Sequence, residues 1–385
     1  MDASPTTSPD DAALRLGPSL PDWDPEVDDA LIVREVREET HDVKTFVLAP
    51  RTPCLFRYAP GQFLTLELEI GGETIHRCYT ISSAPTRPHT ISITVKRVPG
   101  GPVSNFLHDT VKAGSVLRAV GPMGDFSCFS QGRPAASPKY LFLSGGSGIT
   151  PLMSMARTFH DLAEPRDIVF VHAARAPADI IFRAELELMA RNQPATFRFA
   201  PVCEGDSPRE PWHGFRGRLN PGILNHVAPD FREREVFVCG PSPFMAAVRE
   251  MLKTFGFDMA RHHEESFDFA ELAGAEPEVA AEVLAAEGLA ADIAAPATVT
   301  YKIAFAKSGR TIECPSDMFV LDAARRAGVR LPSSCAKGLC GTCKSKLVSG
   351  TVDMKHGGGI RQREIDAGMA LLCCSKPTSD LVVDR

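Results

Sequence analysis

Cys335-Ala-Lys-Gly-Leu-Cys340-Gly-Thr-Cys343, followed by Cys373 and Cys374, limits what this chain can fold into more than any other feature. Five of its eleven cysteines fall between positions 335 and 374. In a 385-residue chain without the marks of secretion, such clustering points to a metal centre rather than to disulfides. Merely buried thiols need no fixed spacing, and zinc knuckles use paired short spacings. Here the intervals are four, two and twenty-nine residues, counting to Cys373. Four thiolates reaching one centre from a loop and a distant return segment must be held by tertiary structure. The small residues between them let loop amides approach the centre and donate to sulfur.

Composition excludes several classes. Hydrophobic residues make up 44% and charged residues 23%, enough for real cores, and the length suggests two or three domains. A net charge of −6 argues against a nucleic-acid partner. No apolar run approaches the ~18 residues of a membrane span. Residues 1–29 carry Ser, Pro and Asp where a signal peptide would have a basic start and an apolar core, so they read as a disordered lead on a cytoplasmic protein.

The remaining chain divides by texture. Residues 30–137 alternate apolar and polar in short runs, such as Phe63–Leu68 and Thr90–Val95, which predicts an antiparallel β-barrel. Residues 138–266 alternate strand-like runs (Tyr140–Leu143, Ile168–His172, Val236–Val238) with helical ones (from Pro151, Phe182–Ala190, Pro243–Phe255). That pattern predicts an α/β domain on a parallel sheet. Residues 267–298 hold seven acids and no Lys or Arg in an Ala-rich background, the composition of a linker. Residues 299–385 open with two strand-like runs and a helix over Phe319–Ala327 that Gly328 ends.

The cysteine spacing resembles that of plant-type ferredoxins, whose domain is a β-grasp (α+β) fold carrying a [2Fe–2S] cluster. By that resemblance the ligands are Cys335, Cys340, Cys343 and Cys373, with Cys374 a near neighbour. Residues 299–385 contain fourteen Lys plus Arg and eight Asp plus Glu, a balance of +6, whereas the ferredoxins resembled are acidic. Such a face either offsets the cluster charge or docks an acidic partner.

His76-Arg77-Cys78-Tyr79-Thr80-Ile81-Ser82-Ser83 resembles the flavin fingerprint of the ferredoxin–NADP reductase superfamily. The resemblance implies that Arg77 meets the flavin phosphate, Tyr79 stacks on the ring and Thr80 bonds near its reactive nitrogen. A guanidinium suits phosphate and an aromatic face suits a flat ring. Ser82, Val95, Lys96, Gly101, Val103 and Ser104 complete the expected flavin contacts. Glycine beside a helix start lets free amides meet a diphosphate. FAD is the expected form, with FMN left open because reductases of the phthalate dioxygenase type use it with the same domain order.

Leu141–Pro151 reads as strand, glycine turn and helix start, with Gly145, Gly146, Gly148 and Thr150 at the turn. Val238–Met245 resembles the second nicotinamide signature of the same superfamily, which implies Cys239 near the nicotinamide and Gly240, Pro241 and Met245 beside it. Glu265 and Phe267 stand where the family places an acid and a flavin-covering aromatic. Arg175 is expected near the adenosine ribose, with NADH preferred and NADPH left open.

Joined, these parts resemble the reductase components of Rieske oxygenases. The wording of 77–97 and 263–267 is most similar to reductases serving glycine betaine and related quaternary-amine monooxygenases. The resemblance implies hydride transfer from the nicotinamide to a flavin, then single electrons through the cluster to a terminal oxygenase docking at the basic ferredoxin domain. Two other readings stand beside it: the reductase of a hybrid-cluster protein, and a nucleotide-binding redox sensor.

Overall fold

The computed structural model describes residues 20–25, 27–129, 138–266, 299–329, 331, 338, 341, 343–356, 359–360 and 362–385. The linker 267–298 lies outside them, as do Phe267, Cys335 and Cys340.

The first unit is a barrel of β1 (Ala30–Thr40), β2 (Val43–Pro50), β3 (Phe63–Ile70), β4 (Glu73–Thr80), β5 (Ile91–Lys96) and, after helix α1 (Pro102–Thr110), β6 (Val116–Met123). The strands run antiparallel in the order β4-β3-β6-β1-β2-β5, and a bridge between Ile81 and Ile93 closes the ring. Period-two alternation sends Leu64, Leu66, Phe46, Leu48, Ile91 and Ile93 inward to one apolar core. Residues expected in the lead extend this unit. Trp23 is buried against Phe56, ring centroids 5.2 Å apart, and its indole N–H donates to the Asp28 carbonyl at 2.9 Å.

The second unit comprises β7 (Tyr140–Gly145), α2 (Ile149–Asp161), β8 (Ile168–Ala174), α3 (Arg183–Asn192), β9 (Phe197–Cys203), β10 (Phe215–Arg216), α4 (Pro221–Val227), β11 (Glu235–Gly240), α5 (Ser242–Thr254) and β12 (His262–Ser266). Its sheet is wholly parallel, in the order β10-β9-β8-β7-β11-β12, so the order reverses between β7 and β11, where α/β sheets place ligands. β7 is buried throughout, as a strand covered on both faces must be. β9, α4 and β12 were not anticipated. Pro201 interrupts the first of these, and the run His262-His263-Glu264-Glu265 gives the last the polar look of a loop.

The third unit holds β13 (Thr300–Phe305), β14 (Arg310–Pro315), α6 (Val320–Arg326), β15 (Lys344–Ser349), β16 (Val352–Met354), α7 (Gln362–Asp366), β17 (Met369–Leu371), β18 (Ser375–Pro377) and β19 (Leu381–Val383). Its five-stranded sheet runs β14-β13-β19-β15-β17, with β13 and β19 parallel and the other pairs antiparallel. The helix α6 lays Val320, Leu321 and Ala324 onto it, the β-grasp arrangement.

A candidate flavin, nicotinamide and cluster relay

β4 carries the flavin fingerprint. Tyr79 packs against the barrel core, and burial pushes its phenol well up, so the ring is a neutral surface. Arg77 Nη1 donates to the His76 carbonyl at 2.9 Å. Thr80 is buried. Ser82 is fully buried, and its hydroxyl is engaged inside the barrel with Thr94 Oγ1 (2.8 Å) and the Ser92 carbonyl (3.3 Å). Val95 is a core residue whose carbonyl lies 2.9 Å from His108 Nε2.

At the start of α1, Gly101 provides no side-chain cap, which leaves first-turn amides for an anion. A methyl group there would stand 2.9 Å from Ser104 Oγ and 3.1 Å from Val98 Cβ, so a side chain would crowd the turn. Val103 sits in the barrel core. A stacking face, a guanidinium and uncapped amides suit a flavin and its diphosphate.

The second site is a cleft of about 360 Å³ lined by Lys96, Gly145, Gly146, Arg175, Pro241 and Phe244, among others. Close backbone approach shapes it. A methyl on Gly148 would come 2.3 Å from the Cys239 carbonyl oxygen, and one on Gly240 would come 3.1 Å from the Gly145 nitrogen. α2 and α5 both begin without side-chain caps, so two helix amide ends face the strand reversal. Thr150 Oγ1 donates to the Ser147 carbonyl at 3.2 Å, holding the turn. Met245 turns instead into the core beneath the sheet.

The basic groups of the cleft are matched by acids. Asp42, from the barrel, lies 3.4 Å from Lys96 Nζ and 3.5 Å from Arg175 Nη2. Asp179 lies 3.9 Å from Arg175 Nε, and Glu204 lies 3.3 Å from Arg218 Nε.

Strand register draws a line of side chains that the sequence reading did not assemble. His172, Ser144, Cys239 and Glu265 are paired in succession across β8, β7, β11 and β12. In-register residues of parallel strands share a face. Phe170, Phe142 and Phe237, two positions earlier on three of these strands, pack with Val43 and Phe126 of the barrel, so the line fronts the junction of the two domains. Ser144 Oγ lies 2.8 Å from His172 Nδ1 and donates to the Val171 carbonyl at 3.2 Å. Burial pushes His172 down to about 3 and the Glu265 carboxyl up to about 8. Both are therefore neutral at pH 7. Among the described residues, His172 Nε2 and Glu265 Oε2 are sealed from solvent with no hydrogen-bond partner, as polar atoms awaiting a ligand would be. The sequence signal was a histidine within an otherwise apolar strand.

In the third unit, Cys343 enters β15 and Cys373 follows β17; both are buried. The Gly338 amide donates to Cys373 Sγ at 3.2 Å, the contact a metal-bound thiolate accepts. Cys374 Sγ turns to the Leu371 carbonyl at 3.5 Å. Gly338 and Gly341 have φ of +71° and +73°, the left-handed turns that such a loop needs.

A flavin barrel, a nicotinamide cleft and a ferredoxin unit in one chain define a reductase that converts hydride into single electrons. Residues 30–128 match the family model of an oxidoreductase FAD-binding domain, residues 142–250 that of an oxidoreductase NAD-binding domain, and residues 303–378 that of a 2Fe-2S iron-sulfur cluster binding domain. The chain is 46% identical to the glycine betaine monooxygenase reductase subunit of Pseudomonas aeruginosa, over 91% of its own length and 93% of the relative's. It is 42% identical to the stachydrine N-demethylase reductase subunit of Rhizobium meliloti, over 90% and 93%. Phthalate dioxygenase reductase shares the three-domain fold with a TM-score of 0.52 at 24% identity, over 94% of this chain and all of that one. The chain belongs to the family of three-domain monooxygenase reductase subunits within the ferredoxin–NADP reductase superfamily, and its cofactors are FAD, NAD(P)H and a [2Fe–2S] cluster. Among the described residues, no helix is long and apolar enough to cross a membrane.

Proposed function

We propose that this chain oxidises NADH and passes single electrons to a Rieske-type monooxygenase acting on glycine betaine or a related quaternary amine, the class named for its relatives. The observation that carries the relay is the position of β4. On one side α2 of the nicotinamide domain donates to the carbonyls just after it, Arg157 to Ser82 and Ser154 to Ser83, both at 2.6 Å. On the other side, a methyl on Gly341, between Cys340 and Cys343, would stand 3.7 Å from the His76 ring. β4 and the residues just after it thus lie against the nicotinamide domain on one side and near Gly341 on the other, which supports the relay.

The chain's part is binding and positioning. Arg77 would hold the flavin phosphate, Tyr79 would cover the ring and Thr80 would bond at its edge. Cys239 and neutral Glu265 would border a bound nicotinamide, and Phe267 would be the aromatic that covers the flavin. Bound flavin supplies the exchange between two-electron and one-electron chemistry, and the cluster carries one electron at a time. Cys335, Cys340, Cys343 and Cys373 hold the cluster. Preference for NADH rests on the cleft, where the acids beside Lys96, Arg175 and Arg218 would repel a 2′-phosphate. The terminal oxygenase docks at the basic ferredoxin domain, and the system works in the cytoplasm.

An anaerobic titration with NADH, followed by visible absorbance and low-temperature EPR, tests the relay. Flavin bleaching with a rhombic [2Fe–2S] signal is the expected result. A flavin that stays oxidised would overturn the assignment of Arg77–Ser83 and Gly145–Pro151.

A further inference from the structure

α2 bridges the two sites between which a hydride must pass. Its first turn follows the glycine turn of the nicotinamide cleft, and its third lies on the carbonyls that follow β4. From Gly148 to Arg157 the helix rises about 14 Å. A hydrogen-bonded helix keeps its length, so whatever pins its far end to the barrel also places the cleft relative to the flavin fingerprint.

Arg157 is that pin, and all three nitrogens of its guanidinium are engaged. Nη1 donates to the Ser82 carbonyl at 2.6 Å, while Nε and Nη2 donate to the two carboxylate oxygens of Glu185 on α3 at 2.8 and 2.6 Å. The Phe182 ring lies against its face, with Cζ 4.5 Å from the centroid. The side chain keeps only 11% exposure, and such shielded, two-pronged pairing is the strong kind. Phe182, buried at the start of α3, stands at φ +57°. A bulky residue holds that left-handed conformation only where its surroundings enforce it, and such outliers gather at functional sites. The barrel side is held as firmly. Ser83 Oγ accepts from the Ser92 amide at 2.9 Å and lies 2.9 Å from the Tyr58 hydroxyl, and the Ser83 carbonyl takes Ser154 Oγ at 2.6 Å.

Resting on the electron-relay reading, we propose that Arg157, oriented by Glu185 and Phe182, is a positioning residue for hydride transfer. It sets the separation between a nicotinamide bound at the glycine turn and a flavin bound at Thr80, two residues before the carbonyl it grips, and it touches neither. The hydride carries both electrons from nicotinamide to flavin, and Arg157 gives or takes neither proton nor electron. Its part is geometry. A misplacement of about 1 Å caused far from the reacting atoms lowers such a rate about a hundredfold.

Anaerobic stopped-flow absorbance of the full-length holoenzyme tests this, with amide hydrogen exchange read by mass spectrometry beside it. In Arg157→Met the limiting rate of flavin bleaching by NADH should fall about a hundredfold, with the half-saturating NADH concentration within about threefold of the wild type's. The long-wavelength charge-transfer absorbance of stacked nicotinamide and flavin should fade in the same variant. Exchange in a peptide spanning 79–84 should quicken while 140–145 stays protected. Arg157→Lys reaches the Ser82 carbonyl but cannot grip both oxygens of Glu185, so its rate should fall between, as should that of Glu185→Gln. Bleaching at the wild-type rate in Arg157→Met with the charge-transfer band intact, or a change in half-saturating NADH alone, would overturn the proposal. If Arg157→Met does not fold, the other two variants decide: intermediate rates support the proposal and wild-type rates in both overturn it. A wild-type flavin that NADH leaves oxidised would sink the relay reading instead, and the exchange comparison would still show whether Arg157 holds the fingerprint.

Discussion

Glu265 shows how position alone gives a common side chain an uncommon state. Burial raises its carboxyl from 4.5 to about 8, with no partner among the described residues to take a charge from Oε2. Between those two values the unfolded chain has released a proton that the folded chain keeps. Its contribution to stability is therefore fully present below about pH 4.5 and lost as pH rises through about 8. Glu265→Gln keeps the shape and removes the titration, so its Tm should change less than the wild type's from about pH 5 to pH 8. Thermal melts across that window check it; parallel curves would mean that the carboxyl is ionised throughout. His172, on the same line, is held neutral by the same burial.

At the scale of elements, the parallel sheet depends on one fully buried cation. Arg234, just before β11, donates to Asp230 (2.8 and 3.0 Å), to Asp167 (3.0 and 3.1 Å) and to the Tyr140 carbonyl (3.1 Å). It ties the entry of β11 to the starts of β7 and β8, whose far ends carry the glycine turn and Arg175. Removing one partner of a fully buried pair costs about 3–5 kcal/mol. Here the acids keep 39% and 25% exposure, so Arg234→Met should cost about 2–3 kcal/mol and lower the Tm of the joint barrel–nicotinamide transition by roughly 5–10 °C. Calorimetry reads it directly, and a shift under a degree would show the pairing to be solvent-compensated.

For the whole molecule, the contrast between junctions sets the expected unfolding. The barrel and the nicotinamide domain share a core and side-chain bonds to main-chain carbonyls, so they should melt together, while the ferredoxin unit, with its own core, should melt apart. Differential scanning calorimetry should resolve two transitions. Stripping iron with a chelator should lower only the ferredoxin transition, since a bound cluster stabilises the domain that holds it. A single transition that moves as a whole would mean a third cooperative contact lies between the units.

The amino-acid sequence by itself determined the chemistry that is local along the chain: the cysteine spacing, the run Arg77–Ser83, the glycine turn at Gly145–Gly148 and the three textures of the domains. Each is legible because neighbouring residues act together there, whether as a thiolate loop, a strand or a helix start. Only the tertiary structure decided the rest. The line from His172 to Glu265 exists because four strands distant in sequence are set in register. Asp42 reaches Arg175 because a barrel turn abuts the nicotinamide domain. Arg157 reaches the Ser82 carbonyl because α2 lies across the end of β4. Residues 20–25 and 27–29 join the barrel because Trp23 finds Phe56, and no pattern within that polar segment announces a partner more than thirty residues away. Side-chain types and spacing reveal what a site is made of; burial and register reveal which atoms meet and in which protonation state.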